Sequence, residues 1–386
     1  MIGNHDLSAA WFALLRAPGL GATRIRGLVE HFGTALEAAN AGTSRLRALG
    51  VPESAIAWLA APDEARIAAD LNWLAAPGHH LIGFDDPDYP ALLRRSPYPP
   101  AALFVDGDPD WLWFAQIAIV GSRNPTEGGR ANAQDFSRAL AQSGLIVTSG
   151  LAEGIDAAAH RAALEAGKPT VAVVATGVDV VYPAKHRDLA DAIAAHGAIV
   201  SEFPPGTTAR REQFPSRNRI IAGLSLGTMV VEAALKSGAL ITARQAAEAA
   251  REVFALPGSI HNPMARGPHK LIRDGAHLVE TAQEIIEALA PAAAQLADAL
   301  RGRLESEQAE TPGGDDPAFA SRSGSAAAED ADYQALLAAL GHDPVPIDTL
   351  AERTGLTVQV LSSMLLLMEL DGRVAVSGGR YSRLQP

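Results

Sequence analysis

The sequence contains no cysteine, which excludes disulfides, thiolate zinc sites and cysteine nucleophiles and suits a reducing cytoplasm. Aromatic residues make up only 5% of it. Nowhere do about eighteen apolar residues follow one another, so no membrane-spanning helix is expected. Residues 1–15 carry Asp6 and lack a basic stretch leading into an apolar run, unlike a secretory leader. No histidine pair has H-E-x-x-H or comparable spacing, so neither metal nor cofactor is expected. Positive charge is also scarce, since 32 Lys+Arg against 44 Asp+Glu give a net charge of −12. The acidity lies outside the centre, because residues 117–290 hold equal numbers of basic and acidic side chains. There Arg210, Arg211, Arg217 and Arg219 crowd together. Polyanion binding follows the local field rather than the total, so this balance permits a nucleic-acid groove without demanding one.

The length of 386 residues is enough for two or three domains, and 48% hydrophobic with 20% charged residues is ordinary for a globular protein. Four segments are expected: a helical domain at 1–84, a connector and core at 85–290, an acidic flexible linker at 291–331 and a last domain at 332–386. In the first, Pro18-Gly19-Leu20-Gly21 followed by Arg24 and Arg26 has the order of a helix-hairpin-helix or SAM-like element, whose turn aims backbone N–H groups at a phosphate. A plain helical domain with capping glycines fits those residues equally well. Residues 85–109 read as a proline-rich connector.

From about 115 to 290, apolar runs rich in β-branched residues alternate with amphipathic stretches. The runs are Ile117–Val120, Leu145–Thr148, Thr170–Val174, Ala198–Ser201, Thr228–Val231 and Val253–Leu256; helices are expected at Gly129–Ser143, Asp156–Ala166, Arg187–His196 and Ala239–Arg251. That order predicts an α/β fold, Rossmann-like and doubly wound, with a mostly parallel sheet covered on both faces. Ligands of such sheets bind beyond the carboxyl ends of the strands. The linker is marked by Thr311-Pro312-Gly313-Gly314 and Ser321-Arg322-Ser323-Gly324. After it, helices at Tyr333–Leu340, Ile347–Thr354 and Val358–Leu370 and a β-wing around Ser377-Gly378-Gly379 predict a C-terminal winged helix. Val358–Leu370 has no Lys or Arg, so it suits a protein contact better than a duplex groove.

Gly121, Ser122 and Arg123 follow the first run, where glycine admits a ligand closely and arginine offers a fork for phosphate. Ser149 and Gly150 follow the second run and share its rim. In that turn Asp156 reads as a helix N-cap, and His160 as structural. Tyr182-Pro183-Ala184-Lys185 places Lys185 as a point charge, and Phe214-Pro215-Ser216-Arg217-Asn218-Arg219 supplies Arg217, Asn218 and Arg219. No nucleophile with a base accompanies them, so binding without catalysis is the expectation. A rival reading starts from Gly227-Thr228-Met229-Val230-Val231-Glu232, which resembles the glutamate segment of nucleotide-monophosphate phosphoribohydrolases. There Glu232 and Arg123 would serve a nucleotide-processing enzyme. Leu224-Ser225-Leu226 stands where those enzymes have Pro-Gly-Gly, and a buried hydrogen-bonded carboxylate is the preferred reading.

In combination and order these motifs resemble the DNA-processing protein A (DprA/Smf) family. The resemblance runs on through Ser201-Glu202-Phe203-Pro204, Ser237-Gly238, Leu256-Pro257-Gly258 and Leu271-Ile272-Arg273-Asp274-Gly275-Ala276. It departs at Gly267-Pro268-His269-Lys270, where the family has a glycine-cysteine-asparagine stretch. The resemblance implies a cytoplasmic homodimer that binds single-stranded DNA and loads the RecA recombinase in natural transformation, with single-strand-binding protein as a further partner. Family DNA contacts map onto Gly121, Ser122, Arg123, Lys185, Arg217, Asn218 and Arg219. With so few aromatic residues, a mainly electrostatic pocket is expected.

Overall fold

Alternate residues of a strand face opposite sides, and that alternation builds the centre of this protein. The computed structural model describes residues 4–309 continuously and, beyond them, 336, 339–340, 345–356, 361, 364–365, 374–377 and 380–383. Its contacts divide the chain into residues 1–304 and 305–386.

In the first unit nine strands form one sheet: β1 (His79–Gly83), β2 (Ala102–Gly107), β3 (Gln116–Val120), β4 (Ile146–Ser149), β5 (Thr170–Val173), β6 (Ala198–Ser201), β7 (Gly227–Val230), β8 (Glu252–Ala255) and β9 (His277–Leu278). Their order is β1-β2-β6-β5-β4-β3-β7-β8-β9. From β3 to β9 every pairing is parallel, while β1 and β2 add an antiparallel edge. The chain winds outward from β3 to β6 and then returns to β7 on the other side of β3. The rim beside β3 is therefore the switch point where such sheets hold ligands.

Six helices precede the sheet: α1 (Asn4–Arg16), α2 (Ala22–Phe32), α3 (Ala35–Ala39), α4 (Thr43–Ala48), α5 (Glu53–Ala60) and α6 (Glu64–Leu74). The short α7 (Ala91–Arg94) lies between β1 and β2. Within and after the sheet come α8 (Glu127–Gln142), α9 (Ile155–Glu165), α10 (Arg187–His196), α11 (Gln213–Leu224), α12 (Gly238–Glu248), α13 (Arg266–Arg273) and α14 (Ala282–Ala309). Ile117, Ile119, Val147 and Met229 face α8, α9 and α14 through Phe136, Leu140, Ile155 and Leu289. Their neighbours Ala118, Val120, Val173 and Val230 face the other way, toward Leu93, Ile220, Ile221 and Ala239. Each fully buried large side chain among them stabilises the fold by about 1.5–3 kcal/mol. Helices α1 to α5 share an apolar cluster around Trp11, Leu14, Ile25 and Leu46, which Ala102 of β2 joins. Arg16 ties that layer to the core, donating to Pro205 O at 2.9 Å and pairing with the buried Asp70.

Two parts depart from the sequence reading. The connector contains β2, and β1 precedes it; Pro99-Pro100 and His79-His80 at their starts mask two short strands that only pairing reveals. Helix α14 continues to Ala309, well into the stretch read as linker, with Pro291 inside it. Alanine, leucine, glutamate and glutamine are strong helix formers, and they carry the helix beyond its proline. The remainder of that stretch lies outside the described residues.

A buried histidine makes the core sensitive to acid. His160 on α9 is fully buried, with Nδ1 2.7 Å from Thr170 Oγ1, and that hydroxyl gives its hydrogen to Val147 O at 2.6 Å. The ring therefore carries its proton on Nδ1, while Nε2 has no partner among the described residues. Burial first, and then the nearby charges of His186, Arg217 and Arg161, lower its pKa to about 3. A depressed histidine stabilises the fold fully above its unfolded pKa, near 6.5, and that contribution is lost as pH falls toward about 3. Denaturant unfolding at stepped pH should show wild type losing stability more steeply than His160→Gln between about pH 6 and pH 4. Parallel curves would show that His160 takes up no extra proton on unfolding.

In the second unit, Ile347–Thr354 forms a helix closed by Gly355 at φ 71°. A three-stranded sheet joins Val345–Pro346, Arg380–Arg383 and Val374–Ser377 in that order. Leu350, Leu361, Leu365 and Val374 are buried together. Most of the helices expected at Tyr333–Leu340 and Val358–Leu370 lies outside the described residues.

Candidate functional site

Loops leaving β3, β4 and β5 meet the first turns of α11 on the rim beside β3. A cavity of about 310 Å³ there is lined by Gly121, Arg123, Asp156, Phe214, Arg217 and Asn218, among others. A smaller one, about 50 Å³, adjoins it between Arg123, Phe214, Tyr182 and Pro183.

The glycines of the rim serve packing more than ligand approach. A Cβ on Gly121 would meet Ile155 Cγ1 at 2.6 Å, so this glycine lets α9 close onto the sheet rather than opening the backbone to a ligand. Gly150 is buried beneath the Arg217 guanidinium. Gly154 holds φ 82°, a conformation that side chains rarely adopt, and lies against the carbonyls of Ser122 and Arg123. Ile155 N donates to Ser122 O at 3.1 Å, fastening the β3 loop to the start of α9. Asp156 lies inside the first turn of α9, while Gly154 occupies the N-cap position. Its carboxylate accepts from Ala152 N at 3.3 Å, and burial raises its pKa against the opposing pull of Arg217.

The nine residues singled out from the sequence have unlike environments. Arg123 is exposed on the rim, its guanidinium 5.5 Å from the Phe214 ring centre. Ser122 Oγ accepts from Asn124 N at 3.1 Å, which leaves its own hydrogen free to donate. Lys185 is exposed and pairs with Glu153 at 2.9 Å; hydrogen bonding to Lys185 lowers the Glu153 pKa. An exposed pair of this kind is screened by water and contributes little, so phosphate can compete for the lysine. Asn218 accepts from Arg217 Nε at 3.1 Å and lines the cavity.

Three residues have partners of their own within the fold. Ser149 is fully buried and donates to Ile119 O at 2.6 Å, so its hydroxyl looks inward. Arg217 is only 4% exposed, and Nη1 donates to both Gly150 O and Val173 O, closing the ends of β4 and β5. Burial lowers its pKa to about 10, still a cation at neutral pH. Arg219 pairs with Glu202 and donates to Tyr98 O at 2.6 Å, away from the first cavity. Sequence spacing placed these arginines on one segment; helix geometry sends neighbours to different sides.

Phe214 was missed as a site residue, although it opens the motif. Its ring has Arg123 and Arg217 within cation–π range, at 5.5 and 5.9 Å, and meets Tyr182 edge-on at 5.8 Å. Tyr182 is 48% exposed and precedes a cis proline, Pro183. The rim is therefore partly aromatic rather than purely electrostatic, because the fold gathers two of its few rings here. Glu232, centre of the rival reading, is 7% exposed and accepts from Thr126 N at 2.8 Å, Thr126 Oγ1 at 2.7 Å and Asn262 Nδ2 at 3.0 Å. Both oxygens are occupied in holding the N-terminus of α8, as the preferred reading had it. Among the described residues no helix is long and apolar enough to cross a membrane.

Comparison with known proteins agrees in order and extent. The family model for DNA recombination-mediator protein A matches residues 80–290, and that for the DprA winged helix domain matches 320–380. Protein Smf of Escherichia coli K12 is 42% identical over 320 residues, spanning 83% of this chain and 81% of its own. Protein Smf of Synechocystis is 35% identical over 97% of this chain and 98% of its own. The X-ray structure of DNA processing protein A from Streptococcus pneumoniae superposes with a TM-score of 0.66 at 33% identity, covering 72% of this chain and 97% of that one.

Proposed function

This chain belongs to the DNA recombination-mediator protein A family, and from that premise we propose that its rim holds single-stranded DNA and delivers it to a RecA-type recombinase, without catalysis of its own. The observation that carries this reading is the pairing of exposed cations with aromatic rings, one half-buried and one exposed: Arg123 beside Phe214, and Lys185 three residues beyond Tyr182. A single strand needs positive charge along its backbone and ring faces for its bases, with little sequence readout. Arg123 can pair with a phosphate through its fork or stack on a base, and Lys185 can exchange Glu153 for a phosphate. The absence of catalysis is supported by where the carboxylates are committed. Asp156 faces Arg217, Glu202 holds Arg219, and Glu232 is filled by Thr126 and Asn262.

Fluorescence anisotropy of a labelled oligo-dT across a salt series tests the reading. Each phosphate contact contributes about 0.7 to the log–log salt slope on single strands, so Arg123→Ala and Lys185→Ala should each weaken binding and flatten the slope by about that amount. Indifference of the wild type to the oligonucleotide at low salt would refute the proposal. Recombinase delivery is checked separately, by whether the protein speeds filament assembly on a strand already covered by single-strand-binding protein. Labelled DNA should also survive long incubation with magnesium; cleavage that follows site substitutions would overturn the non-catalytic reading.

A further inference from the structure

A second cavity, about 300 Å³, opens on the other side of α11, where the turn between α1 and α2 approaches the connector. Its lining includes Gly21, Thr23, Arg24, Tyr98, Pro99 and Arg219, and no acidic residue. Arg24 is exposed, and its guanidinium makes no hydrogen bond or ion pair among the described residues. Tyr98 is 66% exposed, and Arg219 donates to its backbone carbonyl, which anchors the connector at this residue. Glu202 offsets much of the Arg219 charge, so the free cation here is Arg24. The first turn of α2 also lacks a side-chain cap at Gly21, which leaves its N–H groups toward the same space. An unpaired guanidinium and an aromatic ring line this cavity, as Arg123 and Phe214 line the first. The two cavities flank one helix: Asn218 lines the first and Arg219 the second.

We propose that a bound single strand continues past α11 into this second cavity, where Arg24 meets one further phosphate and Tyr98 stacks on a base. The inference rests on the single-strand reading of the first cavity and extends the length of strand it holds. Full-length wild type, Arg24→Ala and Tyr98→Ala are titrated with labelled oligo-dT of about 4 and about 16 nucleotides, the range of site sizes for single-strand grooves. On the long strand Tyr98→Ala should weaken binding about tenfold, and Arg24→Ala should flatten the salt slope by about 0.7. On the short strand, which the first cavity alone can hold, both variants should match wild type. Unchanged long-strand binding would overturn the inference, and so would equal losses at both lengths. A loss seen only when the oligonucleotide carries a duplex end would also overturn it, giving the cavity to duplex DNA. Failure of wild type to bind either length would instead remove the reading beneath it, so the two failures are separable.

Discussion

Replacing Arg217 with alanine should lower the unfolding free energy by about 2–5 kcal/mol while leaving the salt slope of DNA binding unchanged. Two carbonyls, Gly150 O and Val173 O, depend on its Nη1 and lie at the buried ends of β4 and β5. A buried acceptor stripped of its donor costs about 1–3 kcal/mol, and two are orphaned at once. Asp156 loses its nearby cation as well, so its carboxyl, already raised by burial, rises further. Affinity for the strand should fall, because Phe214 loses one of its two guanidinium neighbours and the β4 turn loosens. That loss should come without a lost counterion, since the cations proposed to meet phosphate, Arg123 and Lys185, remain. Denaturant unfolding and the anisotropy salt series together check this. Near-wild-type stability with a slope flatter by about 0.7 would make Arg217 a phosphate ligand and refute its role as a clip between strands.

Gly154→Ala should be at least as damaging, costing about 3 kcal/mol or more and reducing strand affinity over tenfold. The backbone there stands at φ 82° and ψ −120°, a region essentially closed to residues with a Cβ. The added methyl would also drive into the carbonyls of Ser122 and Arg123. Relief requires the β3 loop to move outward, which breaks the Ile155 N to Ser122 O bond and carries Arg123 off the Phe214 ring. Unfolding midpoints and oligo-dT titration of the variant measure both effects. A variant that keeps its stability and affinity would show that this loop is not held by α9.

The parallel core was legible because its signals are local and redundant. Runs such as Ile117–Val120 and Val171–Val173 are buried on both faces, so they read as continuous apolar strands, and amphipathic stretches between them leave little choice but a doubly wound sheet. The exposure of Arg123 and Lys185 was legible for a similar reason, since a loop after a parallel strand points outward. The environments of Ser149, Arg217 and Arg219 were not. Ser149 turns inward because its strand alternates, and Arg217 and Arg219 diverge around α11 toward different partners.

The sequence by itself determined the succession of strands from β3 to β8, the charge balance of the core and the loops that carry cations, because periodicity and turn chemistry are written within a few residues. Only the tertiary structure decided which cations are spent inside the fold and which reach solvent. Gly150 O, Val173 O and Glu202 lie 67, 44 and 17 residues from the arginines they engage. Such partners are chosen when distant strand ends are brought together and a buried polar group must find whatever donor or acceptor is there.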